Sequence, residues 1–312
     1  MNKLTAVGSA QKQNLSMSNE QFIIKERSRD IGNFMVGRLL PFRKKSMIGP
    51  FVFVDHMGPA TIKPENTMSV NQHPHIGLAT LTYLLKGAIL HADSMGTVQE
   101  IKAGEVNVMI AGRGVTHTER TPERLKKVAY EMEGYQIWIA LAKEEEDREP
   151  AFHHLKKNEV PFWTENDLTY RLIVGTALGR TSKLPLWSNL FLLEIRNTQE
   201  AELDLGQNLD GEIGILVNQG GIEAGGESIG AGNLLVAKHR DQCSIRVQPN
   251  SILFVLGGQP FEEKRYIDWN FVSSDLDKIK QARTDWIERK FPQVPNDNTY
   301  VPYPKRRLRF KK

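Results

Sequence analysis

Ala79-Thr80-Leu81-Thr82-Tyr83-Leu84-Leu85 is a short apolar run rich in β-branched and aromatic residues, closed by Lys86-Gly87. Such a run is too short for an ordinary helix and suits the pleated, half-buried surface of a strand. The same texture recurs on either side of it, in Phe51-Val52-Phe53-Val54, Val106-Asn107-Val108-Met109-Ile110 and Tyr135-Gln136-Ile137-Trp138-Ile139. Gly87, Gly96 and Gly104 fall at turn positions between these runs. From about Phe22 to Trp138 the spacing predicts an all-β sandwich or barrel rather than alternating βαβ units.

Further along, the character changes. Lys143-Glu144-Glu145-Glu146-Asp147-Arg148-Glu149-Pro150 is a charge run, and the chain stays polar until Val160-Pro161, which reads as a connector between domains. A second β series follows, in Phe191-Leu192-Leu193-Glu194-Ile195, Ile213-Gly214-Ile215-Leu216-Val217, Asn233-Leu234-Leu235-Val236-Ala237 and Ser251-Ile252-Leu253-Phe254-Val255-Leu256. Last comes one helix signal. Ser273-Ser274 could cap a helix running to Phe291, with Leu276, Ile279, Ala282, Trp286 and Ile287 as a broken apolar stripe, ended by Pro292 and Pro295. The expected organisation is a tail over 1–20, a barrel over 21–145, a connector over 146–165, a second barrel over 166–270, and a helix with a basic tail over 271–312. The helix is expected to pack across both barrels.

Composition narrows the function classes. The 312 residues are 40% hydrophobic and 25% charged, an ordinary globular balance with room for two domains. No apolar run is long enough to cross a bilayer, and the first residues lack the apolar block of a signal peptide. Cys243 is the only cysteine, so an intramolecular disulfide is excluded and a reducing, cytoplasmic setting is expected. The net charge of +4 owes much to Lys305-Arg306-Arg307-Leu308-Arg309-Phe310-Lys311-Lys312, read as a solvated end. With no base-reading motif beside it, nucleic acid is not an expected partner. A monomer is expected.

His73-Pro74-His75 places two imidazoles at i and i+2, on one face of an extended strand. His117-Thr118-Glu119 repeats the geometry with an imidazole and a carboxylate. A lone HxH is a weak signal and a lone HxE weaker. The joint pattern is stronger, because Gly112-Arg113-Gly114 could deliver His117 into a barrel mouth. Side by side in a barrel wall, His73, His75, His117 and Glu119 would form an N₃O set suited to one divalent ion: Fe, Mn, Co, Ni, Cu or Zn. An octahedral ion would keep two positions open.

Four ordered motifs then carry a resemblance: Phe53-Val54-Asp55-His56-Met57-Gly58-Pro59, His73-Pro74-His75-Ile76-Gly77-Leu78-Ala79-Thr80-Leu81-Thr82-Tyr83-Leu84, His91-Ala92-Asp93-Ser94-Met95-Gly96 and Ala111-Gly112-Arg113-Gly114-Val115-Thr116-His117-Thr118-Glu119-Arg120. Together they closely resemble the pirin family of bicupins, over roughly Ile24 to Ala140 and more loosely beyond. The resemblance implies two jelly-roll barrels with metal in the first only, held by His73, His75, His117 and Glu119, with iron as the usual metal. It implies two functional classes: oxidation of quercetin-like flavonols with dioxygen, and transcriptional co-regulation. Many pirins have glutamate where this chain has Ala79, so a changed pocket wall is expected there. The second barrel offers only His239 and no HxH, so no second metal is expected.

The residues leave a few further candidates. His56 could line the pocket or orient a ligand, Arg113 could counter substrate charge, and Gln136 could contact substrate, with Trp138 read as packing. His91 reads as a surface turn residue, and His153-His154 as solvent-facing in the connector. The favoured function is a dioxygenase acting on a chelating flavonol, enediol or catechol, with Glu119 as proton acceptor. The alternative is a metal- or redox-responsive binding protein with a protein partner and no turnover.

Overall fold

The computed structural model describes residues 22–31, 34–185, 188–237 and 243–304. The expected N-terminal tail, His239 and the basic C-terminal residues lie outside them. The alternation read from the sequence becomes two antiparallel β-barrels. In the first, a four-stranded sheet runs in the order Ser69–His75, Val115–Arg120, Ala88–Asp93, Val98–Lys102. It faces a seven-stranded sheet ordered Ala151–Leu155, Val106–Ile110, Leu78–Lys86, Tyr130–Ala140, Phe51–Ile62, Met35–Leu40, Arg27–Asp30. The second barrel repeats the plan, with a large sheet built around Glu212–Gln219, Ile252–Gly258 and Leu190–Asn197, and a small one of four strands.

The two large sheets pack back to back. Leu81, Tyr83, Val108 and Ile137 from the first barrel share one buried cluster with Leu192, Leu216, Phe254 and Leu256 from the second. Strand period explains the sorting: Ala79, Leu81 and Tyr83 point into this shared core, which leaves Thr80 and Thr82 to the inside of the first barrel. Ala79 therefore lies between the barrels, fully buried, and the change expected in the pocket wall falls elsewhere.

Two domain boundaries differ from expectation. Phe22–Lys25 belongs to the second barrel's large sheet, pairing Phe22 with Val236 and Ile24 with Leu234. That strand covers what would otherwise be an open sheet edge, and Ile24 is fully buried in the shared core. The stretch 146–165 is not one connector. Ala151–Leu155 closes the first barrel against Val106–Ile110, and Phe162–Glu165 adds to the second against Leu168–Ala177. Edge strands tolerate polar side chains, which is why the composition there resembled a linker.

Within the same charge run, Glu146 is buried. It accepts bonds from the Ser273 hydroxyl at 2.6 Å and the Ser274 amide at 2.7 Å, with the fully buried side chain of Arg265 at 3.5 Å. It thereby ties the hairpin Tyr266–Asp268 and Phe271–Ser273 to the first barrel. The helix spans Leu276–Ile287, shorter than expected at both ends. Its cap is Asp275, whose carboxylate accepts from the Asp277 amide, because the Ser273 hydroxyl is engaged with Glu146. Ile279, Ala282 and Trp286 are buried against Phe271 and against Ile76 of the first barrel, while Ile287 is exposed. Beyond the helix the chain returns along Ser69–His75: the Gln72 side chain bonds Val294 and Asp297, and the Val301 amide bonds the Gln72 carbonyl.

Candidate metal centre

The small sheet of the first barrel assembles the site from three strands. Val115–Arg120 lies between Ser69–His75 and Ala88–Asp93, with His117 opposite both His73 and Asp93, and Glu119 opposite His91. His73, His75 and His117 are all buried, and one ring nitrogen from each lies within 4.8 Å of the others. Nε2 of His75 and Nε2 of His117 are only 3.1 Å apart. His73 turns its other nitrogen, Nδ1, toward the Asn71 carbonyl at 2.8 Å, which leaves Nε2 as the free lone pair.

Electrostatics favour ligation. Burial lowers the pKa of His73 to about 4. Burial, and then the neighbouring histidines, lower His75 and His117 further below the ordinary imidazole range. Three neutral imidazoles with converging lone pairs repel one another until a cation sits between them. The donor set therefore fits a transition-metal ion, and it fits few alternatives.

Glu119 is buried nearby, but it stands outside the three-histidine group. A register shift between His117 and Glu119 pairs Glu119 with Val70 and displaces it along the strand. Burial raises its pKa to about 7, with no neighbouring cation to offset the loss of water.

His91 is where sequence reading missed most. Instead of a surface turn, it is a buried strand residue whose Nδ1 lies 3.3 Å from Nδ1 of His117. Its Nε2 lies 3.0 Å from a carboxylate oxygen of the fully buried Asp93. The other Asp93 oxygen accepts the Met95 and Thr97 amides. One proton arrangement satisfies the whole line: His91 donates to Asp93, His117 donates to His91, and His117 Nε2 keeps its lone pair for an ion. The signal was present in the sequence, since His91 and Asp93 are another i, i+2 pair on one strand face.

The remaining candidates separate. His56 is buried between the barrels, stacked on Tyr135 and 3.2 Å from Glu26, so it lines the domain interface and not the ion pocket. Arg113 is exposed and paired with Glu149 at 2.7 Å, which removes it from the pocket. Its flanking glycines serve the turn, because a Cβ at Gly112 would strike the Arg148 carbonyl. Gln136 stays on the barrel wall, half-buried and accepting from the Thr82 hydroxyl at 2.9 Å. Trp138, on the same face of that strand, sets its ring 5.0 Å from His75 and stacks on Phe53 at 3.9 Å. His153 and His154 sit on an edge strand, half-buried, with His154 bonded to Asn107 at 2.7 Å.

The second barrel holds no comparable group among the described residues, and its interior is filled by side chains such as Leu172, Leu193, Ile215 and Val255. Against this geometry the pirin family model matches residues 33–139, and the model of the pirin C-terminal cupin domain matches residues 192–292. The chain belongs to the pirin family. A pirin-like protein of Caulobacter vibrioides is 39% identical over 290 residues, covering 90% of this chain and 98% of that one. A crystal structure of quercetin 2,3-dioxygenase from Acinetobacter baumannii is 31% identical with a TM-score of 0.84, covering 94% of this chain and 97% of that one. The Escherichia coli pirin YhhW, solved in complex with nickel(II), shares the fold with a TM-score of 0.60 at 19% identity, covering 78% of this chain and 100% of that one. The pirin-family bicupin fold is thus established, with a histidine triad able to hold a metal ion. No helix among the described residues is long and apolar enough to cross a membrane.

Proposed function

We propose that this pirin is a metal-dependent dioxygenase acting on a chelating flavonol of the quercetin type, or on a related enediol or catechol. The observation that carries the reading is the convergence of three neutral, buried imidazoles beside a buried carboxyl poised near neutrality. His73, His75, His117 and Glu119 would hold one divalent ion, iron by preference, with nickel the first alternative given the metal of YhhW. The ion, when bound, supplies a Lewis-acidic anchor for two adjacent substrate oxygens and a redox-capable meeting point for substrate and dioxygen. The likeness to the Acinetobacter dioxygenase over nearly the whole chain supports the assignment.

The chain's own residues do the rest. Glu119, the only carboxylate among the four proposed ligands, would accept the proton of an ionising substrate hydroxyl on leaving the ion. Trp138 stacked on Phe53 gives a rigid aromatic wall beside His75, suited to a flat aromatic substrate. Gln136 and Thr82, already bonded to each other, offer the polar groups next along that wall. Purified protein loaded with Fe(II) or Ni(II) should consume oxygen with quercetin, and metal-free protein should not. Absence of uptake by every metal-loaded form with quercetin, a simple catechol and an aliphatic enediol would sink the enzymatic reading.

A further inference from the structure

Between the barrels lies a second polar cleft of about 280 Å³ lined by Tyr83, Lys157, Phe162, Arg171, Glu194 and Arg196. We propose that it is a binding site for a small phosphate monoester, with the phosphate held by Arg171, Arg196 and Lys157 and the organic group laid against Phe162.

Register builds the cationic floor. On adjacent strands of the second barrel, Arg171 stands opposite Glu194, and Thr169 opposite Arg196. Arg171 would ordinarily be neutralised by its cross-strand glutamate. Glu194 is instead buried and engaged twice elsewhere, accepting the Tyr83 hydroxyl from the first barrel and the Arg196 Nε. Burial, and then the Glu194 charge, raise the Tyr83 phenol, while Arg171 and Arg196 oppose the shift, so both guanidinium charges act on the same spot. Arg171 lies over the Phe162 ring at 4.6 Å and, among the described residues, pairs with no carboxylate.

Lys157 is brought in from the crossover between the barrels. Gly104 has a positive φ of 82°, and its missing side chain makes room for the Lys157 stem, which a Cβ there would meet at 3.0–3.3 Å. Lys157 likewise has no carboxylate partner among the described residues. Three cations thus face one carboxylate that is already satisfied. Guanidinium forks match phosphate oxygens in geometry, and two surplus positive charges match the dianion. Phe162 is 54% exposed beside them, an apolar surface an organic substituent would cover.

The test is calorimetric titration of the full chain at fixed ionic strength with phenyl phosphate, inorganic phosphate and benzoate, in metal-free and metal-loaded forms. The expected result is saturable one-to-one binding, tightest for phenyl phosphate and the same in both forms. Arg171→Gln and Lys157→Gln should each weaken it about tenfold or more, and the distant Lys280→Gln should leave it unchanged. Lys157 is on an exposed turn, so that variant does not put folding at risk. The proposal is overturned by absence of saturable binding, by benzoate binding as tightly as phenyl phosphate, by wild-type affinity in both charge variants, or by binding that appears only when metal is present.

Discussion

At the scale of single residues, the chemistry rests on what burial does to four titratable groups. Glu119 must lose a proton before it can ligate, and with a pKa of about 7 it is protonated in the metal-free protein below neutrality. His73 with a pKa of about 4, and His75 and His117 lowered further, release no proton in that range. Metal affinity should therefore rise about tenfold per pH unit between about 4 and 7 and level off above, since one proton leaves per ion bound. In Glu119→Gln the slope should vanish; chelator competition across pH measures both, and an unchanged slope would remove Glu119 from the ligand set. The Asp93–His91–His117 line gives a second expectation. Asp93→Asn should weaken metal binding about 10–100-fold without unfolding the barrel, because it frees the ring orientation of His117. Wild-type affinity in that variant would reduce His91 to packing. The three clustered histidines were legible in the sequence because period-two spacing shows directly on a strand. The buried His91 was misread because its flanking Asp93 and Ser94 resemble a turn. The Arg113 expectation failed for the opposite reason, since glycines on both sides announce a turn without saying what the arginine meets.

Strands and helix tell a similar story at the next scale. The strand runs themselves were readable, as was the last helix, because hydrophobic periodicity is local. Partners were not readable. Nothing within Phe22–Lys25 shows that it will leave its own barrel and close the edge of the other, 208 positions away at Asn233, its partner across from Lys25. Glu146 shows the same limit, a buried anchor hidden in a run of solvated charges. The helix matters to the histidine cluster because it supports Ile76, which follows directly on His75, and because the chain after it clasps Gln72, which directly precedes His73. Trp286 holds this arrangement, fully buried and donating its ring N–H to the Val301 carbonyl at 3.0 Å. Trp286→Ala should cost about 3–5 kcal/mol in urea unfolding. It should also loosen the metal through the shifted His73–His75 strand. Stability lost with affinity intact would confine the helix to a structural role.

For the whole molecule, the two barrels divide their tasks while sharing one core. The first sets three buried histidines and Glu119 among the apolar clusters inside it. The second fills its interior with leucine, isoleucine and valine, and contributes its large sheet to the buried face behind the first barrel. Because Leu192 lies in that shared cluster, Leu192→Ala should cost about 2–5 kcal/mol and lower the urea midpoint of metal release along with that of global unfolding. Independent transitions would show the barrels to be energetically separate. The overall plan of two β domains was legible in the recurrence of apolar runs, whereas the interlocked boundary, set by long-range pairing, was not. The central claim is that a single ion sits in the first barrel on His73, His75, His117 and Glu119. An anomalous difference map from crystals of metal-loaded protein, collected at the metal's absorption edge, tests this most directly. The account predicts one peak about 2.1 Å from a ring nitrogen of each histidine and from a Glu119 oxygen. A peak in the second barrel, or one that Glu119 does not touch, would contradict it.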